Sequence, residues 1–298
     1  MRASEGQGRR LVRQVVRKAQ YAASASQGIL ANRFVSAKLV PLAAGRQEAV
    51  IFKEGDSQRA DDGLPLPPPE LWSRWGMTPE EYLREGAADA AGIVAALEEA
   101  GVAAAELPRV LDFGCAEGRV LRYFPRSEGL ERWGVDVNAD RITWAQQHLS
   151  PPLFFATTTT APHLPFTEGH FDFVYGLSVF THISELADAW FLELLRILRP
   201  GGHIWLTIHD QHSVEFLLDP ERGSPHSEMV DLLRTLDQRT SVLSRDWVYF
   251  AVLADPAAQV FHNSDHLVAR WSRLAKCVAV KPEATGYQTA LVFQKAAS

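Results

Sequence analysis

From residue 108 onward, short apolar runs alternate with helical stretches, and this alternation constrains the fold more than any other feature of the chain. Arg109–Phe113 reads as a buried strand, followed by a small-residue loop at Gly114–Gly118 and a helix from about Arg119. Trp133–Val137 is a second strand, and Asn138 is placed to cap the helix after it. Leu153–Ala156 and the almost wholly apolar Phe171–Leu177 are a third and a fourth. Ile183–Leu198 is an amphipathic helix with Ile183, Leu186, Trp190, Leu194 and Ile197 on one side, and it stops at Arg199-Pro200-Gly201-Gly202 before a fifth strand, His203–Ile208. Strands joined through helices must cross over, and repeated crossovers build a parallel sheet covered on both faces. The pattern weakens after Asp210. A helix at Ser227–Leu236, strands at Trp247–Val252 and Val260, a helix at Ser264–Leu274, and strands at Cys277–Val280 and Gln288–Phe293 complete the reading.

The segment before residue 108 differs in kind. Residues 1–47 hold nine Lys/Arg against one acid, whereas the remainder carries the opposite sign and brings the whole to −6. An acidic body argues against broad contact with nucleic-acid phosphates. Residues 9–30 have roughly helical spacing, with Leu11, Val12, Val15 and Val16 opposite Arg9, Arg13 and Arg17. Peripheral membrane contact, an organelle presequence and a solvated terminal segment are all open for this stretch. Asp56–Pro69 is polar and then Pro-rich, which reads as an extended linker. Thr78-Pro79-Glu80-Glu81 carries the signature of a capped helix start. The expected organisation is an arm and linker at 1–69 and one α/β domain at 70–298, with 210–260 as an insertion covering the substrate. No apolar run reaches the roughly 18–20 residues that span a bilayer, no secretory signal is visible, and two cysteines suffice for neither a disulfide framework nor a zinc site. A cytoplasmic location and no bound metal are the expectations.

In an open parallel sheet, ligands bind beyond the carboxyl ends of the strands. The chemistry-bearing residues stand there: Asp112 and the loop Gly114-Cys115-Ala116-Glu117-Gly118 end the first strand, and Asp136 ends the second. The loop fails the G-x-G-x-x-G test for a dinucleotide, having Ala116 and Arg119 where glycines belong, and it lacks the Gly-Lys-Ser/Thr of a P-loop. An acid directly before it suits a cationic group better than a pyrophosphate.

Val110-Leu111-Asp112-Phe113-Gly114-Cys115-Ala116-Glu117-Gly118 resembles motif I of the class I S-adenosylmethionine-dependent methyltransferases. Gly134-Val135-Asp136-Val137 is similar to their second strand with its ribose-binding acid, the run from Leu164 through Phe171–His182 to their fourth strand, and Leu195–Gly202 to the turn into their fifth. The resemblance covers residues 80–298 or so. It implies a Rossmann-like doubly wound sheet of seven mostly parallel strands, the last antiparallel, with an N-terminal helical extension. It further implies S-adenosyl-L-methionine as cofactor, held by Asp112, Gly114, Cys115, Ala116, Gly118, Asp136, Val137, Thr158, Gly176, Leu177 and Ser178. Ala116 replaces the usual glycine, which is tolerable if its φ is negative. Thr158 stands where an acid or amide often receives the adenine amino group.

Methyl transfer to oxygen or nitrogen sheds a proton, so a base near the acceptor helps. His209 and His182 are the candidates, with His212, Asp210 and His262 behind them; Arg119 and Arg122 read as partners of surface acids. The implied activity is methyl transfer to a small molecule, first of all to a hydroxyl of a sugar or natural product. A catalytically inactive binding or scaffolding protein of the same fold is the alternative from another class. An NAD-dependent oxidoreductase is disfavoured by the loop, and a nucleic-acid amino methyltransferase by the missing Asn/Asp-Pro-Pro-aromatic motif.

Overall fold

A computed structural model describes residues 59–72, 77–222, 227–252 and 258–297. The proposed arm at 9–30 lies outside them. Among the described residues no helix is long and apolar enough to cross a membrane. The strands are β1 (Arg109–Phe113), β2 (Glu131–Asp136), β3 (Phe154–Thr157), β4 (Phe171–Gly176), β5 (Leu198–Ile208), β6 (Tyr249–Val252), β7 (Gln259–His262), β8 (Lys276–Thr285) and β9 (Gln288–Gln294). The helices are α1 (Pro79–Glu99), α2 (Ala139–His148), α3 (Ala187–Ile197), α4 (Gln211–Leu218), α5 (Ser227–Thr240) and α6 (Ser264–Trp271). Seven strands form one sheet in the order β3-β2-β1-β4-β5-β9-β8. Its first five strands pair in parallel, and β9 enters antiparallel between β5 and β8. The anticipated α/β architecture, with its antiparallel last strand, is present.

Strand alternation decides which side chain meets which layer. On β4, Val174 faces a core with Trp190, Phe191, Leu194 and Trp271 from α3 and α6. Phe173 and Tyr175 face the other way, against Ile93 and Leu97 of α1. The same division places Ile204 and Leu206 in the first layer and Trp205 in the second. Every residue of β4 is buried, as a central strand requires. Helix α1 begins in a full capping box: Glu81 N–H donates to Thr78 Oγ1 at 3.2 Å, and Thr78 N–H donates to Glu81 Oε2 at 2.8 Å.

Three expectations need correction. No helix runs from Arg119; only a single 3₁₀ turn forms, at Leu121–Tyr123. Pro125 bars helical geometry at the residue before it, and Arg122 is drawn inward to a buried partner. Helix α3 starts at Ala187 rather than at Ile183, and Leu186 is exposed. The preceding segment is tied down by other bonds: Val260 N–H donates to Thr181 O at 2.8 Å, and His262 Nε2 donates to Ile183 O at 2.8 Å. The Pro-rich stretch, finally, is not a free linker. Leu66, Leu71 and Trp72 are buried. Arg122 holds Asp62 through Nε and Nη2, at 2.6 and 2.8 Å, and also donates to the carbonyls of Leu64 and Pro65. Trp72 stacks on Tyr82 with ring centroids 4.9 Å apart. The domain therefore extends to residue 59 at least.

Candidate active site

A cavity of about 720 Å³ opens at the carboxyl ends of β1 to β4. The loop after β1 forms its floor. Gly114 N–H and Cys115 N–H both donate to Val135 O, at 2.8 and 3.0 Å, which ties the loop to β2. Gly114 and Gly118 take φ values of 82° and 85°, where glycine is at ease. Ala116 lies between them at φ 50°, so the condition set for its methyl group is not met; the alanine is held in the left-handed region.

Asp136 holds that turn. Ala116 N–H donates to its Oδ2 at 2.8 Å and Asn138 N–H to its Oδ1 at 2.7 Å. Each oxygen keeps a further lone pair, and Asp136 lines the cavity. Burial raises its pKa, against the pull of those two backbone donors. Asp112 is nearly inaccessible yet also lines the cavity. Burial pushes its carboxyl up to about 8; the Tyr175 phenol works against this and the Asp136 charge adds to it. A cation placed beside Asp112 favours the ionised form. The two acids thus present hydrogen-bond acceptors with a demand for positive charge.

Thr158 closes the far side. Its N–H donates to Asp136 O at 2.9 Å, while its buried Oγ1 has no protein partner. Opposite, Leu177 and Ser178 line the cavity beyond β4. Ser178 has φ 58°, and its N–H donates to Thr207 Oγ1 at 2.7 Å while Gln288 Nε2 donates to its hydroxyl at 2.8 Å. Of the expected cofactor residues, Asp112, Gly114, Cys115, Ala116, Asp136, Val137, Thr158, Leu177 and Ser178 converge on the cavity. Gly118 and Gly176 do not line it and serve packing instead: a Cβ on Gly118 would meet the Phe155 ring at 3.1 Å, and one on Gly176 would meet Leu206 Cδ2 at 3.0 Å.

The histidines separate. His182 lines the cavity, with Nδ1 2.8 Å from Ala258 O. A carbonyl only accepts, so Nδ1 carries a proton and, in the neutral ring, Nε2 keeps a lone pair. His209 is not brought to the cavity. It is buried, its ring 4.9 Å from that of Phe261 and 5.1 Å from that of Tyr287. Directly after it, Asp210 caps α4 by accepting from Ser213 N–H, which turns the chain away. His212 meets Glu283 at 3.0 Å. His262 braces the cavity wall through Ile183. Among the described residues of 210–260 none lines the cavity, though the Ala258 carbonyl holds His182 in its wall. Among the described residues, no three His, Cys, Asp or Glu are grouped to hold a metal.

Two arginines in the lining were not anticipated there, Arg119 and Arg141. Arg119 bonds Asp89 at 2.7 Å, as an acid partner was expected, but the pair is buried rather than at the surface. Arg141 donates to Trp72 O at 3.1 Å and lies 3.8 Å from Glu117. A basic residue directly after a glycine loop is the signal that would have marked Arg119.

Residues 111–206 match a family model described as a methyltransferase domain. A fatty-acid O-methyltransferase of Mycolicibacterium smegmatis is 30% identical over 100 residues, 33% of this chain and 36% of that protein. A malonyl-[acyl-carrier protein] O-methyltransferase of Enterobacter lignolyticus is 30% identical over 138 residues, 45% of this chain and 53% of that protein. The chain therefore spans about half or less of these relatives' length. Among solved structures, a magnesium protoporphyrin IX methyltransferase of Synechocystis with bound S-adenosylhomocysteine is 15% identical, with a TM-score of 0.48 over 76% of this chain and 92% of that one.

Proposed function

We propose, from the premise that residues 111–206, which match a methyltransferase-domain model, are the class I S-adenosylmethionine-dependent domain that their motifs resemble, that this chain transfers a methyl group from that cofactor to an oxygen of a small-molecule acceptor. The observation that carries the reading is the pair Asp112 and Asp136, ending adjacent strands on one cavity beside a left-handed small-residue loop. The donor set fits the cofactor. Asp136, its carboxylate fixed by two backbone donors, accepts from the ribose hydroxyls. Thr158 Oγ1, buried and without a protein partner, accepts from the adenine amino group. Asp112 faces the ammonium of the amino-acid end. Gly114, Cys115, Ala116, Val137, Leu177 and Ser178 shape the channel around these contacts. The bound cofactor supplies a methyl group activated on a sulfonium.

His182 takes the acceptor proton. The Ala258 carbonyl fixes its tautomer and leaves Nε2 as the base. Positioning the acceptor against the methyl group supplies much of the remaining acceleration. The wall on this side offers an apolar surface of Val179, Ile183, Leu186 and Trp190 beside the polar His182, Ser184 and Glu185. Of the hydroxyl acceptors anticipated from sequence, this favours a natural product with an apolar body over a bare sugar. Two relatives named as O-methyltransferases support oxygen as the acceptor atom.

The test is calorimetric titration with S-adenosylmethionine and S-adenosylhomocysteine, with NAD as control, followed by acceptor screening. Micromolar binding is expected, weakened by about 1–3 kcal/mol in Asp136→Ala. With an acceptor found, His182→Ala should lower turnover by about 10²–10⁴-fold while S-adenosylhomocysteine affinity stays within about twofold. No binding by the folded native chain would sink the reading in favour of a non-catalytic scaffold.

A further inference from the structure

The reading above leaves two cavity-lining cations without a task, and of these Arg141 is engaged by the Trp72 carbonyl and lies beside Glu117, whereas Arg119 keeps an unpaired donor. Its side chain is 7% exposed. Nη2 donates to Asp89 Oδ2 at 2.7 Å, and Asp89 Oδ1 in turn accepts from Thr285 Oγ1 at 2.9 Å. Nη1 is buried and has no hydrogen-bond partner in the protein. A guanidinium offers five N–H donors in a planar fork, and leaving a buried donor unpaired is costly. Arg122 shows the contrast. Its Nε, Nη1 and Nη2 are all engaged, on Asp62, Leu64 and Pro65, so it is wholly spent on structure. Arg119 is half spent. One side of its fork is anchored to α1 and the β8–β9 hairpin, the other is buried and unpaired, and the residue lines the cavity directly after the loop Gly114–Gly118.

We propose that Arg119 Nη1 anchors the carboxylate of the cofactor's amino-acid end, so that Asp112 and Arg119 together read a zwitterion. This rests on the methyl-transfer reading and adds a specificity to it. A guanidinium donating to a carboxylate makes a charge-assisted bond. A ligand without that carboxylate leaves the donor stranded, and a site built around a buried polar group rejects such analogues strongly. Donors lacking the carboxylate, such as decarboxylated S-adenosylmethionine, are therefore refused. Asp89 is a positioning residue: it fixes the plane of the fork without touching the ligand.

The experiment is calorimetry on the full chain with two probes. S-adenosylhomocysteine carries the amino-acid end; 5′-methylthioadenosine keeps the adenosine and the sulfur but lacks it. The native chain should bind the first more tightly by about tenfold or more. Arg119→Met should lose about that factor for S-adenosylhomocysteine while methylthioadenosine stays within about twofold. Arg119→Lys should keep part of the preference, as a point charge without the fork. If Arg119→Met does not fold because Asp89 is stranded, Arg119→Met/Asp89→Asn removes that charge and should show the same selective loss. Equal loss for both probes, or no loss for either, overturns the inference. Equal native affinity for the two probes overturns it alone; no native binding to either overturns the methyl-transfer reading as well.

Discussion

Ala116 sits at φ 50° with its N–H bound to Asp136. A non-glycine residue in this region costs about 1–2 kcal/mol, and glycine returns about 0.4–1 kcal/mol of that through its looser unfolded state. Ala116→Gly should therefore stabilise the protein by about 0.5–1 kcal/mol. Ala116→Val should destabilise it, since a β-branched side chain fits a positive φ worst. Denaturant unfolding of the two variants decides the matter, and a less stable glycine variant would show that the turn stores no strain. Why the loop tolerates the alanine is visible one strand away. Asp136 reaches back to the Ala116 N–H, so one side chain sets the turn and faces the cavity. The residue types at this site were legible in the chain because packing alone seldom calls for acids at the ends of buried strands or for a run of small residues after one. His209 was not, because its neighbours in sequence, Asp210 and Ser213, are used to cap a helix. A base cannot be recognised from spacing when the same residues also have local backbone work.

At the scale of elements, the segment 59–72 behaves as a strap. Arg122, almost wholly buried, clamps it from the 3₁₀ turn after β1, and Arg141, in the cavity lining, holds the Trp72 carbonyl. Removing one partner of a buried ion pair costs about 3–5 kcal/mol. Arg122→Met should lose stability of that order, with amide exchange rising first in residues 60–72 and only later in β1 and β4. Uniform exchange across these segments would mean that the strap and the sheet open as one unit. The strap also shows where pattern reading stops. Leu-Pro-Leu-Pro-Pro-Pro specifies an extended backbone, which it has, but not what it lies on, because its partner, Arg122, is far along the chain. The same holds for Ile183–Leu186, whose helical spacing loses to the bond from His262 at the end of β7. The strands fared better: a central parallel strand is apolar on both faces, and Phe171–Gly176 shows this without help from distant residues.

For the molecule as a whole, the buried acids around the cavity govern how stability varies with pH. Burial raises the pKa values of Asp112, Glu117 and Asp136, with Asp112 pushed up to about 8. A carboxyl raised in this way contributes its stability fully below its unfolded value, about 4, and loses it as pH climbs to the folded value. Asp62 and Glu193 act in the opposite sense. Burial resists their ionisation, but Arg122 and Leu64 outweigh it for the first, and Arg196 and Leu164 for the second, so both are lowered and their support fades only in acid. His203 and His262, lowered by burial, lose support as pH falls below about 6.5. The difference between native protein and Asp112→Asn isolates the contribution of Asp112, because the other groups are common to both. The variant should gain on the native chain steadily from about pH 4 to pH 8 and hold level beyond, by on the order of a few kcal/mol. Saturating S-adenosylmethionine should shrink the native decline and end it at lower pH, since its cationic end favours the Asp112 carboxylate and lowers its folded pKa. Unfolding curves across that range read both effects, and a difference that does not change with pH would mean that Asp112 is ionised in the folded protein throughout.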